Sequence, residues 1–247
     1  MRIVNKKVPI YQGYLELDDI CGMLKLRCNK MLKCYKTVKG YGQTEIEIHK
    51  SRFIAYVERV ESEETAVAFI NQTKKKHWNA TQNCSAYMVG EDDQHQKADD
   101  DGEPSGTAGK PILEIIKKSG LKDTVIVITR YFGGIKLGAG GLIRAYGKSA
   151  SAGIKAAGTV ERQGHTRIAA KIDYNQLGML ENQLRQQGYI IDDKQFGDKI
   201  TLIVLEKLGQ EEVLKQKIID WTAGQVEFSL VGNLYVETLM QKENDNK

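Results

Sequence analysis

Residues 99–151 read DDDGEPSGTAGKPILEIIKKSGLKDTVIVITRYFGGIKLGAGGLIRAYGKSAS. Two charged, glycine-dense loops, Asp99 to Lys110 and Tyr131 to Gly141, enclose one helix pattern and one continuous apolar run. Glycine admits positive φ and close backbone approach at a cost in chain entropy. Two such loops in one stretch therefore mark a sharp bend, a ligand or a partner. Ile112, Leu113, Ile115 and Ile116 recur at helical spacing, which places a helix from Thr107 or Pro111 to Lys118 with Gly120 as its stop. Val125, Ile126, Val127 and Ile128 form the unbroken apolar run of a strand covered on both faces. Leu142 to Ala157 reads as a second helix, with Ala145, Gly147, Ala150, Ala152, Gly153, Ala156 and Ala157 small enough to lie close on a sheet.

Towards the N-terminus, Cys84 to Val89 is a short strand, and Gly90 to Gly102 reads as a polar loop. Thr44 to Val60 alternates as a strand pair, with Ile46, Ile48, Phe53, Ala55 and Val57 on one face. Ser62-Glu63-Glu64 opens a helix through Ala66, Val67, Phe69 and Ile70, and Lys74-Lys75-Lys76 closes it as the helix dipole prefers. That lysine run reads as a solvated helix end, its rival role being a phosphate-facing patch. Residues 1–30 lack a sustained period and read as an extension or an over-long start, with Met31 as the natural beginning.

Towards the C-terminus, Gly158 to Gly164 is a polar break, taken as the boundary between a first domain over 31–160 and a second over 165–240. Beyond it come a strand at Thr166 to Tyr174, a helix at Gln176 to Gln187, and a hairpin of Tyr189 to Asp193 and Lys199 to Leu205. A helix at Glu211 to Thr222 and a strand at Val226 to Val236 follow. The order βαββαβ is that of a ferredoxin-like sandwich. Residues 241–247 form a polar tail.

The chain has 247 residues, 41% of them hydrophobic and 28% charged, with a formal net charge of +4. That is a globular composition, mildly basic, permitting contact with RNA or phosphate without requiring it. No apolar run approaches the ~18 residues that span a bilayer. Glu16, Asp18 and Asp19 interrupt any N-terminal signal pattern, so a cytoplasmic location without membrane contact is expected. Cys21, Cys28, Cys34 and Cys84 lack CxxC spacing and read as reduced thiols.

The familiar chemical motifs fail one by one. A Walker loop ending at Lys110 would need glycine at 104 and Ser or Thr at 111, where proline stands at both. A dinucleotide loop over Gly138, Gly140 and Gly141 would need glycine at 143, which is Ile143. What survives there is a looser anion site at a helix N-terminus, or a tight packing turn. Asp99, Asp100, Asp101 and Glu103 could meet a divalent cation, or form an acidic loop held by Arg130 and Lys110. Ser105 and Thr107 have no neighbouring histidine to activate them. His49, His77, His95 and His165 are scattered. No catalytic residue, metal or cofactor is assigned. Arg130-Tyr131-Phe132 with Lys136 and Arg144 makes either a basic, aromatic surface or an internal ion pair with a core phenylalanine.

DDGEPSGTAGKPIL and TRYFGGIKLGAGGLIRAY together resemble the signature of the IMPACT family in its bacterial YigZ-like branch. The resemblance implies a two-domain α+β protein. Its first domain would have the ribosomal protein S5 domain 2-like fold, and its second would be ferredoxin-like, as in elongation factor G domain V. It also implies a translation-linked binding role with a ribosome, RNA or a translation factor as partner. The expected contact residues are Asp100, Asp101, Glu103, Ser105, Thr107, Lys110, Arg130, Lys136, Gly138, Gly140, Gly141 and Arg144. A phosphate- or nucleotide-binding enzyme using the same loops, and a purely structural motif, are the alternatives. One departure stands out. Relatives often carry histidine within the segment matching Ala80 to Cys84, where this chain has Gln82.

Overall fold

The computed structural model describes residues 31–90 and 92–239. It is an α+β structure with two antiparallel sheets. The first contains β2 (Gly42–Ile48), β3 (Ser51–Arg59), β4 (Gln82–Val89), β5 (His95–Asp99) and β6 (Thr124–Tyr131), in spatial order β2-β3-β6-β4-β5. Helices α1 (Glu63–Lys76), α2 (Gly109–Lys118) and α3 (Gly138–Ala157) cover it.

Alternation sorts the two faces of this sheet. Phe53, Ala55, Val57, Cys84, Ala86, Ile126 and Ile128 pack with Ile112 and Ile116 of α2 and with Leu142, Ala145, Tyr146 and Ala150 of α3. On the other face, Val125, Val127, Ile54, Tyr56, Tyr87 and Val89 lie with Ala66, Phe69 and Ile70 of α1. The central strand β6 is therefore covered on both sides, as its unbroken apolar run requires. A Cβ at Gly153 would fall 3.0 Å from Ala55 Cβ and 2.8 Å from Val57 Cγ2, so α3 sits against β3 only because that position has no side chain.

Ser62 caps α1 by accepting from the Thr65 N–H, while Thr65 Oγ1 accepts from the Ser62 N–H. This reciprocal pair satisfies donors that a helix start otherwise leaves open.

The second sheet is built on β7 (Thr159–Ile172). β10 (Glu227–Leu239) pairs along nearly all of one edge, while β1 (Cys34–Val38) and then β9 (Ile200–Lys207) share the other. β8 (Ile190–Phe196) completes the order β10-β7-β9-β8. α4 (Leu177–Gln186) and α5 (Glu211–Trp221) cover one face, burying Leu180, Leu184, Leu214 and Ile218 against Ile168, Ala170, Ile172, Leu202 and Val204.

Several expectations need correcting. The polar break at Gly158 to Gly164 is the first half of β7, satisfied by β1 on one side and β10 on the other. β1, expected to lead into the first domain's strands, joins the second sheet. The loop from Gly90 to Gly102 contains β5, an exposed edge strand. α3 begins at Gly138, so Gly138, Gly140 and Gly141 form its first turn. The expectations for residues 1–30 and 241–247, including Cys21 and Cys28, lie outside the described residues.

Candidate functional site

Both glycine-rich segments meet at the C-terminal end of β6. Arg130 there is 6% exposed, and its guanidinium donates to Glu103 Oε1 at 2.5 Å. The same carboxylate oxygen accepts from Tyr146 Oη of α3 at 2.8 Å. Tyr146 Oη lies 3.3 Å from Cys84 Sγ, which also contacts the Asp100 carbonyl at 3.0 Å. One buried chain of polar contacts thus links the first loop to β6, α3 and β4. The Arg130 guanidinium also lies 5.5 Å from the ring centroids of Phe53 and Phe132. Burial pushes the Cys84 thiol up to about 12, so it remains protonated.

The remaining acids of the first loop also have internal partners. Asp100 accepts from the N–H groups of Gly106, Ala108 and Gly109. Burial acts to raise its pKa, but those donors outweigh it and hold the carboxyl below its ordinary range. The free N–H groups where α2 begins are thereby satisfied by the chain's own carboxylate. Asp101 accepts from Lys74 Nζ at 2.6 Å and from the Asn83 N–H at 2.7 Å, and Asp99 accepts from Lys74 at 3.2 Å. Lys74 is therefore the clamp of the acidic loop, which sets it apart from the exposed Lys75 and Lys76. No cluster suited to holding a metal ion is found among the described residues.

The second loop is arranged differently. Gly133 passes so close to the β2–β3 turn that a Cβ there would fall 2.0 Å from the Lys50 carbonyl, and its N–H donates to Ser51 Oγ. The Phe132 N–H donates to Thr81 Oγ1. Anchored in this way, the loop turns its side chains outward. Phe132 is 47% and Ile135 42% exposed, and Lys136 and Arg144 lie at the surface. α3 starts without a side-chain cap and without an acidic residue in its first turn, and Gly138 to Gly140 are exposed.

The expected contact residues thus divide. Glu103, Thr107 and Arg130 are buried, and Asp100 and Asp101 are engaged within the loop, so these five form the scaffold rather than an open surface. Ser105, Lys110, Lys136, Gly138, Gly140 and Arg144 are exposed, and Gly141 is partly so. Sequence reasoning missed Lys74, Asn83, Cys84 and Tyr146 as members of this network. Separations of 16, 27 and 62 residues between partners leave no local pattern to read. Gln82 stands opposite Arg130 in the β4–β6 register.

Comparison with known proteins bears on what this arrangement is. The Impact N-terminal domain model matches residues 49–154, and a domain of unknown function, DUF1949, matches residues 171–225. The IMPACT family member YvyE of Bacillus subtilis (strain 168) is 55% identical over 69% of this chain and 78% of its own length. The IMPACT family member YigZ of Escherichia coli (strain K12) is 33% identical over 73% of this chain and 90% of its own. A crystal structure described as that of a hypothetical protein superposes with a TM-score of 0.54 at 30% identity, covering 80% of this chain and 97% of the other.

Proposed function

This chain belongs to the IMPACT family, and from that premise we propose that it is a translation-linked binding protein whose contact surface is the second glycine-rich loop. The ferredoxin-like reading of the second domain is consistent with the strand order β10-β7-β9-β8, and the resemblance to elongation-factor domains draws the partner from the ribosome, RNA or a translation factor. The observation that carries this reading is the contrast in the site. The first loop's carboxylates are satisfied internally, while Phe132, Ile135 and Lys136 project outward from a loop whose start is tied down at Phe132 and Gly133, beside the exposed Arg144 of α3. Preorganisation of that kind lowers the entropy lost on binding.

The structural reading of the motif applies to its first half, because the Glu103–Arg130 pair is buried and shared with Tyr146. A nucleotide-handling enzyme at the same loops finds less support. A nucleotide at Gly138 to Gly141 would need Asp101 or Glu103 to hold magnesium, and these are engaged with Lys74 and with Arg130.

Pull-down from lysate, with and without nuclease, tests the proposal. The wild-type chain is expected to retain ribosomes or a translation factor, and Lys136→Ala/Arg144→Ala to lose them while remaining folded. Equal capture by the double variant, or capture of neither class by the wild type, overturns it.

A further inference from the structure

We infer that the face formed by the end of α1, the β2–β3 turn and the β6–α3 loop binds single-stranded RNA, with Trp78 as its base-stacking platform. The inference rests on the translation-linked reading for its setting and deepens it by naming the partner's chemistry.

Trp78 is 83% exposed, although it lies beside a closely bonded aromatic cluster. His77, which precedes it, is held by both ring nitrogens. Nε2 lies 2.6 Å from Tyr56 Oη, and Nδ1 lies 2.9 Å from Tyr131 Oη. The His77 carbonyl accepts from the Ala80 N–H and from Asn83 Nδ2. The turn carrying Trp78 is thus fixed while its indole stands in solvent. A large apolar ring on a rigid mount is a surface prepared for a flat partner.

A second exposed ring, Phe132, lies at the same end of the sheet, against the Arg130 guanidinium. Phe132 is joined to the α1 turn through the Thr81 hydroxyl, and Tyr131 Oη contacts Asn79. Through Gly133 and Ser51, the β2–β3 turn with Lys50 joins as well.

The three segments that meet here carry charge of one sign, with Glu45 of β2 and the acids of the first loop reaching in beside them. Segments 49–52, 74–81 and 131–144 contain Lys50, Arg52, Lys74, Lys75, Lys76, Lys136 and Arg144 and no Asp or Glu. Lys74 belongs to the acidic loop and Arg52 is paired with Glu45 at 2.7 Å. Lys50, Lys75, Lys76, Lys136 and Arg144 remain exposed, beside the uncapped positive end of α3. Cations interleaved with exposed aromatic faces match a strand whose phosphates and unpaired bases alternate. A duplex hides its base faces and would leave Trp78 unused.

The test titrates the full chain with an oligouridine of about twelve nucleotides, a length within the range such surfaces occupy. Binding is followed by fluorescence anisotropy of the labelled RNA and by quenching of tryptophan emission. The chain has two tryptophans, and Trp221, partly buried in the second domain, serves as the reference. Wild type should bind, with quenching confined to Trp78. Trp78→Ala should weaken binding by about tenfold or more, whereas Trp78→Phe should retain most of it. Lys75→Ala/Lys76→Ala should reduce the log–log salt slope by about 0.7 for each phosphate that is no longer neutralised. Unchanged thermal midpoints by circular dichroism establish that the variants are folded.

Failure to bind oligouridine at low salt, equal binding by Trp78→Ala, or a salt-independent complex overturns the inference. Ribosome co-sedimentation by a chain that ignores oligouridine overturns it too, yet leaves the translation-linked role standing. A translation factor captured through Trp78 without RNA affinity assigns the face to protein and likewise overturns it.

Discussion

The two glycine-rich loops are alike in composition and opposite in use. Between Asp99 and Lys110 the charges turn inward, where Asp100 closes the start of α2, Asp101 takes Lys74, and Glu103 meets Arg130 beneath the surface. Beyond Tyr131 the backbone is pinned at Phe132 and Gly133, and Phe132, Ile135 and Lys136 face out. Glycine content marks a chain that must pass close to something. Whether the loop becomes framework or contact surface depends on where its charged side chains find partners.

The sharpest way to break this comparison is to cut the buried link. Arg130→Ala leaves Glu103 charged and buried without its cation, and the expected loss is about 3–5 kcal/mol by chemical denaturation. A loss under about 1 kcal/mol would mean that the first loop does not depend on the pair. Gly133→Ala tests the anchoring of the second loop. Its methyl group meets backbone at Lys50, and a loss of about 3 kcal/mol is expected from the same measurement.

Asp100→Ala removes the acceptor for the N–H groups of Gly106, Ala108 and Gly109, for an expected loss of about 2 kcal/mol. Acid sharpens the point. Asp100 and Asp99 are both held below their ordinary range, with burial opposed and outweighed by backbone donors, joined for Asp99 by Lys74. Their contribution is complete above the unfolded value of about 4 and lost as pH falls through the lower folded value. Wild type should therefore lose stability more steeply than Asp100→Asn below about pH 4, as read by urea midpoints. Parallel curves would count against the arrangement.

The smallest effect is expected at the outward loop. Lys136→Ala/Arg144→Ala should change stability by less than about 0.5 kcal/mol while weakening capture of the partner. A large loss of stability there would show that both loops are framework.

Much of the fold was legible because its core elements carry period. The Val125–Ile128 run, the alternation in β3 and the Ile112–Ile116 spacing each marked an element that the structure contains. β5 escaped because His95 to Ala98 are exposed on an edge strand, which imposes no apolar alternation. The first half of β7 escaped because TVERQG is polar, its strand state being enforced by the flanking β1 and β10. Gly138 to Gly141 looked like loop because glycine is a poor helix former, yet the packing of the following Leu142, Ala145 and Tyr146 carries α3 back through it. At the site, the motif marked the right neighbourhood but could not separate inward from outward residues.

The sequence by itself determined the family, the central strand, the helices on its faces and the βαββαβ order, because each is written in local period or in a long contiguous motif. Only the tertiary structure decided that β1 joins the far sheet, that Lys74 rather than Lys110 clamps the acidic loop, and that Trp78 stands in solvent. Those outcomes depend on contacts between residues far apart in the chain, and exposure belongs to the packed molecule.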